Sequence, residues 1–273
     1  VPELPEVENI RRVIEPRLLG RKIIRAKLLR PDIIAYPSLE EFQDAVIGFR
    51  IKEVCRRGKY LVLMAEDGAR LDLHLRMTGQ LLAVPADFPE EKHTHLVFYL
   101  DDGRELRFAD TRRFGRFWFL KPGEEDQVTG IESLGPEPLE RDFSAKYLEE
   151  QLNRKKRPVK QALLAQGIVA GIGNIYSDEI LFAAGVAPLR RCDTLMDAEW
   201  GKVAAAARDV IRKAIEDNRM TEEEYLDGKG KRYKNYEFFV YGRAGQPCKR
   251  CGTELKQVMI GGRSSVYCPK CQG

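Results

Sequence analysis

The sequence predicts an α+β protein: an antiparallel β domain, then a helical domain, then a zinc ribbon. Three observations carry that expectation. At least five segments between residues 22 and 120 have strand-like patterning and short connections, which favours a sandwich or barrel over βαβ units. After Leu134-Gly135-Pro136-Glu137-Pro138-Leu139 the apolar spacing becomes helical. Near the end stands Cys248-x2-Cys251-x16-Cys268-x2-Cys271, two knuckles that each offer a pair of thiolates to one tetrahedral zinc ion. The expected domains are 1–133, 134–227 and 228–273.

Taken in order, Val7, Ile10, Val13, Ile14, Leu18 and Leu19 have helical spacing from Pro5 to Leu19, with Gly20 as a stop and Pro16 expected to kink or break the helix. Strands are expected over Lys22–Leu29, Arg50–Met64, Arg70–Met77, Thr94–Arg107 and Phe114–Leu120, with a hairpin at Asp101-Asp102-Gly103. Helices are expected over Ala145–Leu152, Val159–Ala165, Asn174–Ala184 and Ala198–Asp217. The Gly- and Lys-rich stretch Asp227–Asn235 reads as a mobile loop leading to the ribbon.

The composition narrows the function. The chain has 273 residues, 43% of them hydrophobic, enough for a core and against a disordered chain. No run approaches the ~20 apolar residues of a spanning helix, and the opening VPELPEVENI carries acids and no apolar stretch, so neither a membrane protein nor a secretory signal is expected. A reducing cytosolic compartment then favours zinc over disulfides for the four paired cysteines; Cys55 and Cys192 read as small packing residues. The net charge is only +4, but it is unevenly spread. Residues 228–273 hold ten Lys/Arg against two Glu, and Arg154, Lys155, Lys156, Arg157 and Lys160 form a second basic cluster. Two such clusters on a nearly balanced chain suggest a surface for nucleic acid.

Two segments suggest chemistry. Gly171-Ile172-Gly173-Asn174 places two glycines before a helix with Asn174 as its expected N-cap, a start that either binds phosphate or merely packs a turn. In Pro2-Glu3-Leu4-Pro5-Glu6-Val7-Glu8, spacing alone favours prolines that start a helix. The alternative is a free Pro2 amine. A terminal amine ordinarily titrates near pH 8, so it could attack an electrophilic carbon and leave an iminium, with Glu3 moving protons.

Together these motifs resemble the bacterial formamidopyrimidine-DNA glycosylases from end to end. The matching stretches are PELPEVE at 2–8, RRGKYL at 56–61, HLRMTG at 74–79, EKHTH at 91–95, DTRRFG at 110–115, LGPEPL at 134–139, GIGNIYSDE at 171–179 and the terminal ribbon. The resemblance implies an N-terminal antiparallel β-sandwich with flanking helices, and a C-terminal helical domain with a helix–two-turns–helix motif and a four-cysteine zinc ribbon. It implies a monomeric base-excision enzyme of the bacterial cytosol, acting on double-stranded DNA that holds oxidised bases or abasic sites. By resemblance, Pro2 attacks C1′, Glu3 handles protons at the sugar, Lys59 assists the first elimination and Arg263 the second. Met77, Arg112 and Phe114 fill the space vacated by the everted base. His93, Lys155, Lys160 and Asn174 hold DNA phosphates; His74 either joins them or is a structural histidine. Cys248, Cys251, Cys268 and Cys271 hold one structural zinc, with no open position for catalysis.

Leu4, where the endonuclease VIII branch usually has glycine, points to oxidised purines such as 8-oxoguanine and formamidopyrimidines over oxidised pyrimidines. Two departures matter. Val1 precedes Pro2, and a Pro2 amide nitrogen is no nucleophile; a GTG start read as Met and then removed is the expected explanation, and a non-catalytic DNA-binding protein is the alternative. Asn218-Arg219-Met220-Thr221 stands where the family commonly has a Gly-Gly-Ser-Thr-like stretch, just before the loop that covers the everted base, so reaction type is more firmly implied than substrate preference.

Overall fold

The computed structural model describes residues 2–226 and 235–273, so the loop expected over Asp227–Asn235 lies almost wholly outside the described residues. Contacts divide the chain into two compact units. The first comprises Glu6–Glu132 with Pro2 and residues 219–226; the second comprises Glu3–Pro5, Ser133–Asn218 and residues 235–273.

In the first unit, α1 (Leu4–Leu18, its first residues grouped with the second unit) is followed by β1 (Ile23–Leu28), β2 (Ile34–Tyr36) and α2 (Leu39–Val46). The strands β3 (Glu53–Arg57), β4 (Tyr60–Met64), β5 (Arg70–His74), β6 (Gly79–Pro85), β7 (Thr94–Leu100), β8 (Arg104–Asp110) and β9 (Arg116–Leu120) complete two sheets, in the orders β1-β7-β8-β6 and β2-β9-β5-β4-β3. All pairings are antiparallel except β2 with β9. Alternate residues of both sheets meet in one core, where Phe117 of one sheet packs edge-on to Phe108 (5.0 Å) and Phe98 (6.3 Å) of the other. This is the expected sandwich.

Local differences have physical causes. Helix α1 runs through Pro16, because proline in the last turn removes at most one backbone bond near an end that frays anyway. The sequence reading passes over α2, although Ser38 and Glu41 form a capping box at its start. It also passes over β6, an apolar run with no alternation to mark it.

The second unit holds α3 (Ala145–Leu152), α4 (Val159–Leu164), α5 (Asn174–Ala184), α6 (Asp197–Asp217) and the hairpin of β10 (Lys256–Ile260) and β11 (Arg263–Tyr267). Helix α5 is almost wholly buried and central, in contact with α4, α6 and β11. Helix α7 (Glu222–Leu226) belongs to the first unit, where the buried ring of Tyr225 joins the sandwich core. None of the described helices is long and apolar enough to cross a membrane.

Candidate nucleic-acid interface and zinc centre

Buried acids organise the second unit. The Glu3 side chain, 2% exposed, accepts hydrogen bonds from the backbone amides of Gly173 (2.7 Å), Ile175 (2.9 Å) and Tyr176 (3.3 Å). An acid here satisfies amides that a helix start leaves unpaired and meets the positive end of the helix dipole. It also requires Gly173, since a Cβ there would lie 2.4 Å from the Glu3 carboxyl carbon. This corrects the expected cap: Gly173 is the N-cap, Asn174 is the first helical residue, and amides that were candidates for phosphate are bound to Glu3. Asn174 is half-buried, and its buried Oδ1 has no hydrogen-bond partner among the described residues.

One turn into α5 stand Asp178 and Glu179, both buried. Glu179 accepts the backbone N–H groups of Phe239, Val240 and Tyr241, each at 2.9 Å, which seats the chain entering the ribbon. Asp178 accepts from Lys160 Nζ (2.7 Å), the Ser265 hydroxyl (2.6 Å) and the Val266 amide (3.0 Å), while Lys160 Nζ also donates to the Ser264 carbonyl (3.1 Å). Burial pushes the pKa of the Lys160 ammonium down and that of the Asp178 carboxyl up, and their pairing opposes both shifts. Lys160 is completely buried and its charge is met inside the protein. This geometry differs from the expected phosphate contact and makes Lys160 a brace between α4, α5 and β11. Lys155, by contrast, is exposed in the loop after α3.

The ribbon presents Arg263 at its tip. Ile260 and Arg263 are paired across a two-residue turn in which Gly261 (φ +55°) and Gly262 (φ +74°) both take left-handed conformations, as such tight hairpins require. Arg263 is exposed. At the other end of the ribbon the sulfur atoms of Cys248, Cys251, Cys268 and Cys271 lie within 4.8 Å of one another. The Cys251–Cys268 and Cys248–Cys271 separations, 3.5 and 4.0 Å, bracket the ~3.8 Å expected for thiolates ~2.3 Å from one tetrahedral zinc. Backbone N–H groups of Arg250 and Cys271 donate to the sulfurs of Cys248 and Cys268, so the knuckles fit the ion. One structural zinc ion is held here, by the two knuckles at the foot of the hairpin that carries Arg263.

The first unit carries the other expected site residues. Pro2 is buried, and Lys59 is half-buried beside Gly58 (φ +57°) in the turn between β3 and β4. His74, at the end of β5, packs edge-on against Tyr60 (4.7 Å), and its Nδ1 accepts the Arg76 backbone N–H (2.9 Å). Burial, and then the positive charges of Arg76 and Lys59, push its pKa down to about 3. His74 is therefore neutral at physiological pH and shapes the turn that presents Met77. Met77 (37% exposed) and Phe114 (45%) stand on two turns, with the exposed Arg112 guanidinium 4.9 Å from the Phe114 ring. His93 is half-buried. Sequence reasoning missed Asp110, Asp178 and Glu179. For Asp178 and Glu179 the available signal was acids within an otherwise apolar helix, which burial obliges to find partners; Asp110, followed by Thr111, Arg112 and Arg113, carries no such signal.

Fold and site thus define a DNA-binding protein with a braced zinc ribbon and a pair of exposed apolar side chains on neighbouring turns. Comparison with known proteins agrees. Residues 1–117 match the formamidopyrimidine-DNA glycosylase N-terminal domain, 134–224 the H2TH domain of the same enzymes, and 245–273 the zinc finger found in FPG and IleRS. The formamidopyrimidine-DNA glycosylase of Pelotomaculum thermopropionicum is 42% identical over 273 residues, covering 100% of this chain and 99% of that protein. The Lactococcus lactis Fpg in complex with abasic-site DNA is 34% identical with a TM-score of 0.88, covering 99% of each chain. A MutM in complex with DNA containing carbocyclic 8-oxo-G is 35% identical with a TM-score of 0.88, again covering 99% of each chain. The chain belongs to the formamidopyrimidine-DNA glycosylase family and is a DNA-repair glycosylase.

Proposed function

We propose that this protein is a bifunctional DNA glycosylase and abasic-site lyase for oxidised purines, with Pro2 as the nucleophile. The observation that carries the reading is the Glu3 side chain, bound by three backbone amides. Glu3 is bonded to Pro2, so its anchorage also restricts the Pro2 amine, and an oriented nucleophile needs less reorganisation to react. With Pro2 as the free N-terminus, its nitrogen attacks C1′ as the C1′–N bond breaks and the base departs with a proton. The ammonium proton formed on Pro2 goes to the departing base, and a proton from solvent relayed by Glu3 reaches O4′ as the C1′–O4′ bond breaks, leaving an iminium between Pro2 and C1′. The iminium acidifies the C2′ hydrogen; its loss expels the 3′ phosphate, and a second elimination expels the 5′ phosphate. Lys59 assists the first elimination and Arg263 the second. His93, Lys155 and Asn174 hold phosphates, and Met77, Arg112 and Phe114 occupy the vacated base position.

Oxidised purines are supported as substrates by Leu4 and by relatives in complex with DNA containing FAPY-dG or carbocyclic 8-oxo-G, and the Lactococcus lactis Fpg is also seen with DNA containing an oxidised pyrimidine, so the preference itself rests on Leu4. The test is reductive trapping. Borohydride added to protein and abasic-site DNA should cross-link the N-terminal peptide through Pro2, in protein whose mature terminus mass spectrometry shows to be Pro2. Trapping through an internal lysine would overturn the assignment. A panel of oxidised purines and pyrimidines in duplex DNA tests the substrate class.

A further inference from the structure

Residues proposed to open the duplex stand on separate turns of the first unit: Met77 between β5 and β6, and Arg112 and Phe114 between β8 and β9. Both turns converge on Asp110, which is 1% exposed. Asp110 Oδ1 accepts the Thr78 hydroxyl and the Arg112 amide (3.1 Å), and Oδ2 accepts the Phe114 and Gly115 amides (2.9 Å each). The Thr78 hydroxyl oxygen in turn accepts the Arg112 amide at 3.1 Å, which closes a bridge between the two turns. Asp110 is itself fixed, with its N–H on the His93 carbonyl (3.0 Å) and its carbonyl on His95 Nε2 (2.7 Å).

Two further observations point the same way. Arg76 (φ +54°) and Arg113 (φ +58°), each directly before a proposed wedge residue, are the non-glycine residues with positive φ among the described residues. Such backbones are unfavourable for side-chain-bearing residues and persist where surroundings enforce them. Beneath both turns lies one ring, Phe108. A Cβ on Gly115 would come within 2.3 Å of it, and one on Gly79 within 3.0 Å. The turns therefore share a floor as well as a hydrogen-bond hub.

We propose that Asp110 is a positioning residue that locks the Met77 turn to the Arg112–Phe114 turn, so that the two meet DNA as one preformed wedge. The proposal rests on the reading that these side chains fill the space of the everted base. Eversion forfeits stacking and pairing, and a wedge that had to order on binding would add the loss of its own conformational freedom. Preorganisation removes that second cost. Asp110 touches no reacting atom; its effect reaches the reaction through base opening.

The experiment compares Asp110→Asn, Thr78→Val and Thr78→Ser with the wild type in two reactions: single-turnover excision of 8-oxoguanine opposite cytosine, and strand cleavage at a preformed abasic site, where no base must be everted. In parallel, 2-aminopurine beside the lesion reports unstacking on binding alone. Asp110→Asn turns an amide donor toward backbone donors, and Thr78→Val keeps the shape while deleting the bridge. Asp110→Asn and Thr78→Val should each lower the ratio of excision to abasic cleavage by at least about tenfold, and Thr78→Ser should restore it to within about twofold. Equal losses in both reactions, or an unchanged ratio in Thr78→Val, would overturn the proposal. Thr78→Val keeps it testable even if Asp110→Asn fails to fold. If the wild type performs neither reaction, the enzymatic reading fails by itself, and the fluorescence comparison still decides the coupling: a weakened signal in Thr78→Val supports it and an unchanged one refutes it.

Discussion

Replacing Lys160 by Met separates a structural brace from a DNA contact. Lys160 and Asp178 are 0% and 1% exposed, and the ammonium donates to Asp178 and to the Ser264 carbonyl. Deleting one partner of a buried pair costs ~3–5 kcal/mol, because the other charge stays buried without its counterion. Asp178 keeps the Ser265 hydroxyl and Val266 amide, which places the expected loss near the lower end, ~3 kcal/mol. For a unit of roughly 130 residues that corresponds to a fall of about 10 °C in the melting temperature of the transition that includes the ribbon. Calorimetry of the zinc-loaded protein measures it, with DNA affinity followed from 50 to 200 mM salt. The slope of log affinity against log salt should remain that of the wild type, whereas loss of a phosphate contact would reduce its magnitude by ~0.9. Adding Asp178→Asn removes the stranded charge and should recover about half of the lost stability. A reduced salt slope with an unchanged melting temperature would refute the brace and restore Lys160 to the phosphate surface.

His74 should make the fold acid-sensitive. Its folded pKa is depressed from 6.5 to about 3, so as pH falls below 6.5 the unfolded chain takes up a proton that the folded protein refuses, and stability is lost progressively down to about pH 3. His74→Asn retains an acceptor for the Arg76 amide and should flatten the difference in urea midpoint between pH 7 and pH 5; an identical difference in both proteins would show that His74 does not titrate as stated. Cys268→Ser should release zinc and loosen the Arg263 hairpin, weakening DNA binding by about tenfold or more, checked by metal analysis and titration; metal-free protein with wild-type affinity would refute the role given to the ribbon. Arg112→Ala should flatten the preference for cytosine over adenine opposite the lesion by about tenfold, because a guanidinium satisfies the two acceptors of an orphaned cytosine and meets a donor at adenine. Single-turnover excision against each of the four partner bases reads this directly, and an unchanged ratio would move partner recognition elsewhere.

What the sequence could determine was local or metrical. The four-cysteine spacing, read with the expected reducing compartment, implies zinc, because two close pairs of thiolates satisfy one tetrahedral ion. The period of the apolar residues marked the helices of residues 145–217 and most strands, because periodicity records which face is buried. Pro2 and Glu3 gained their expected roles from the family resemblance, since spacing alone favours a helix start and Val1 makes the Pro2 nitrogen an amide. Tertiary structure decided what each polar group faces. Glu3 meets amides some 170 residues away along the chain, so the cap of α5 was unreadable near Asn174 itself. Lys160 belongs to a basic run in the sequence, yet it points inward to Asp178 while Lys155 remains in solvent. Tyr225 follows the helical segments but packs into the sandwich. Asp110 reads as the first letter of a motif, and only the approach of Thr78 from another strand connection reveals it as a shared anchor. Charge and hydrogen-bonding capacity are written in the residue type, whereas the partner that satisfies them is chosen by the fold, because burial makes an unpaired polar group too costly to leave.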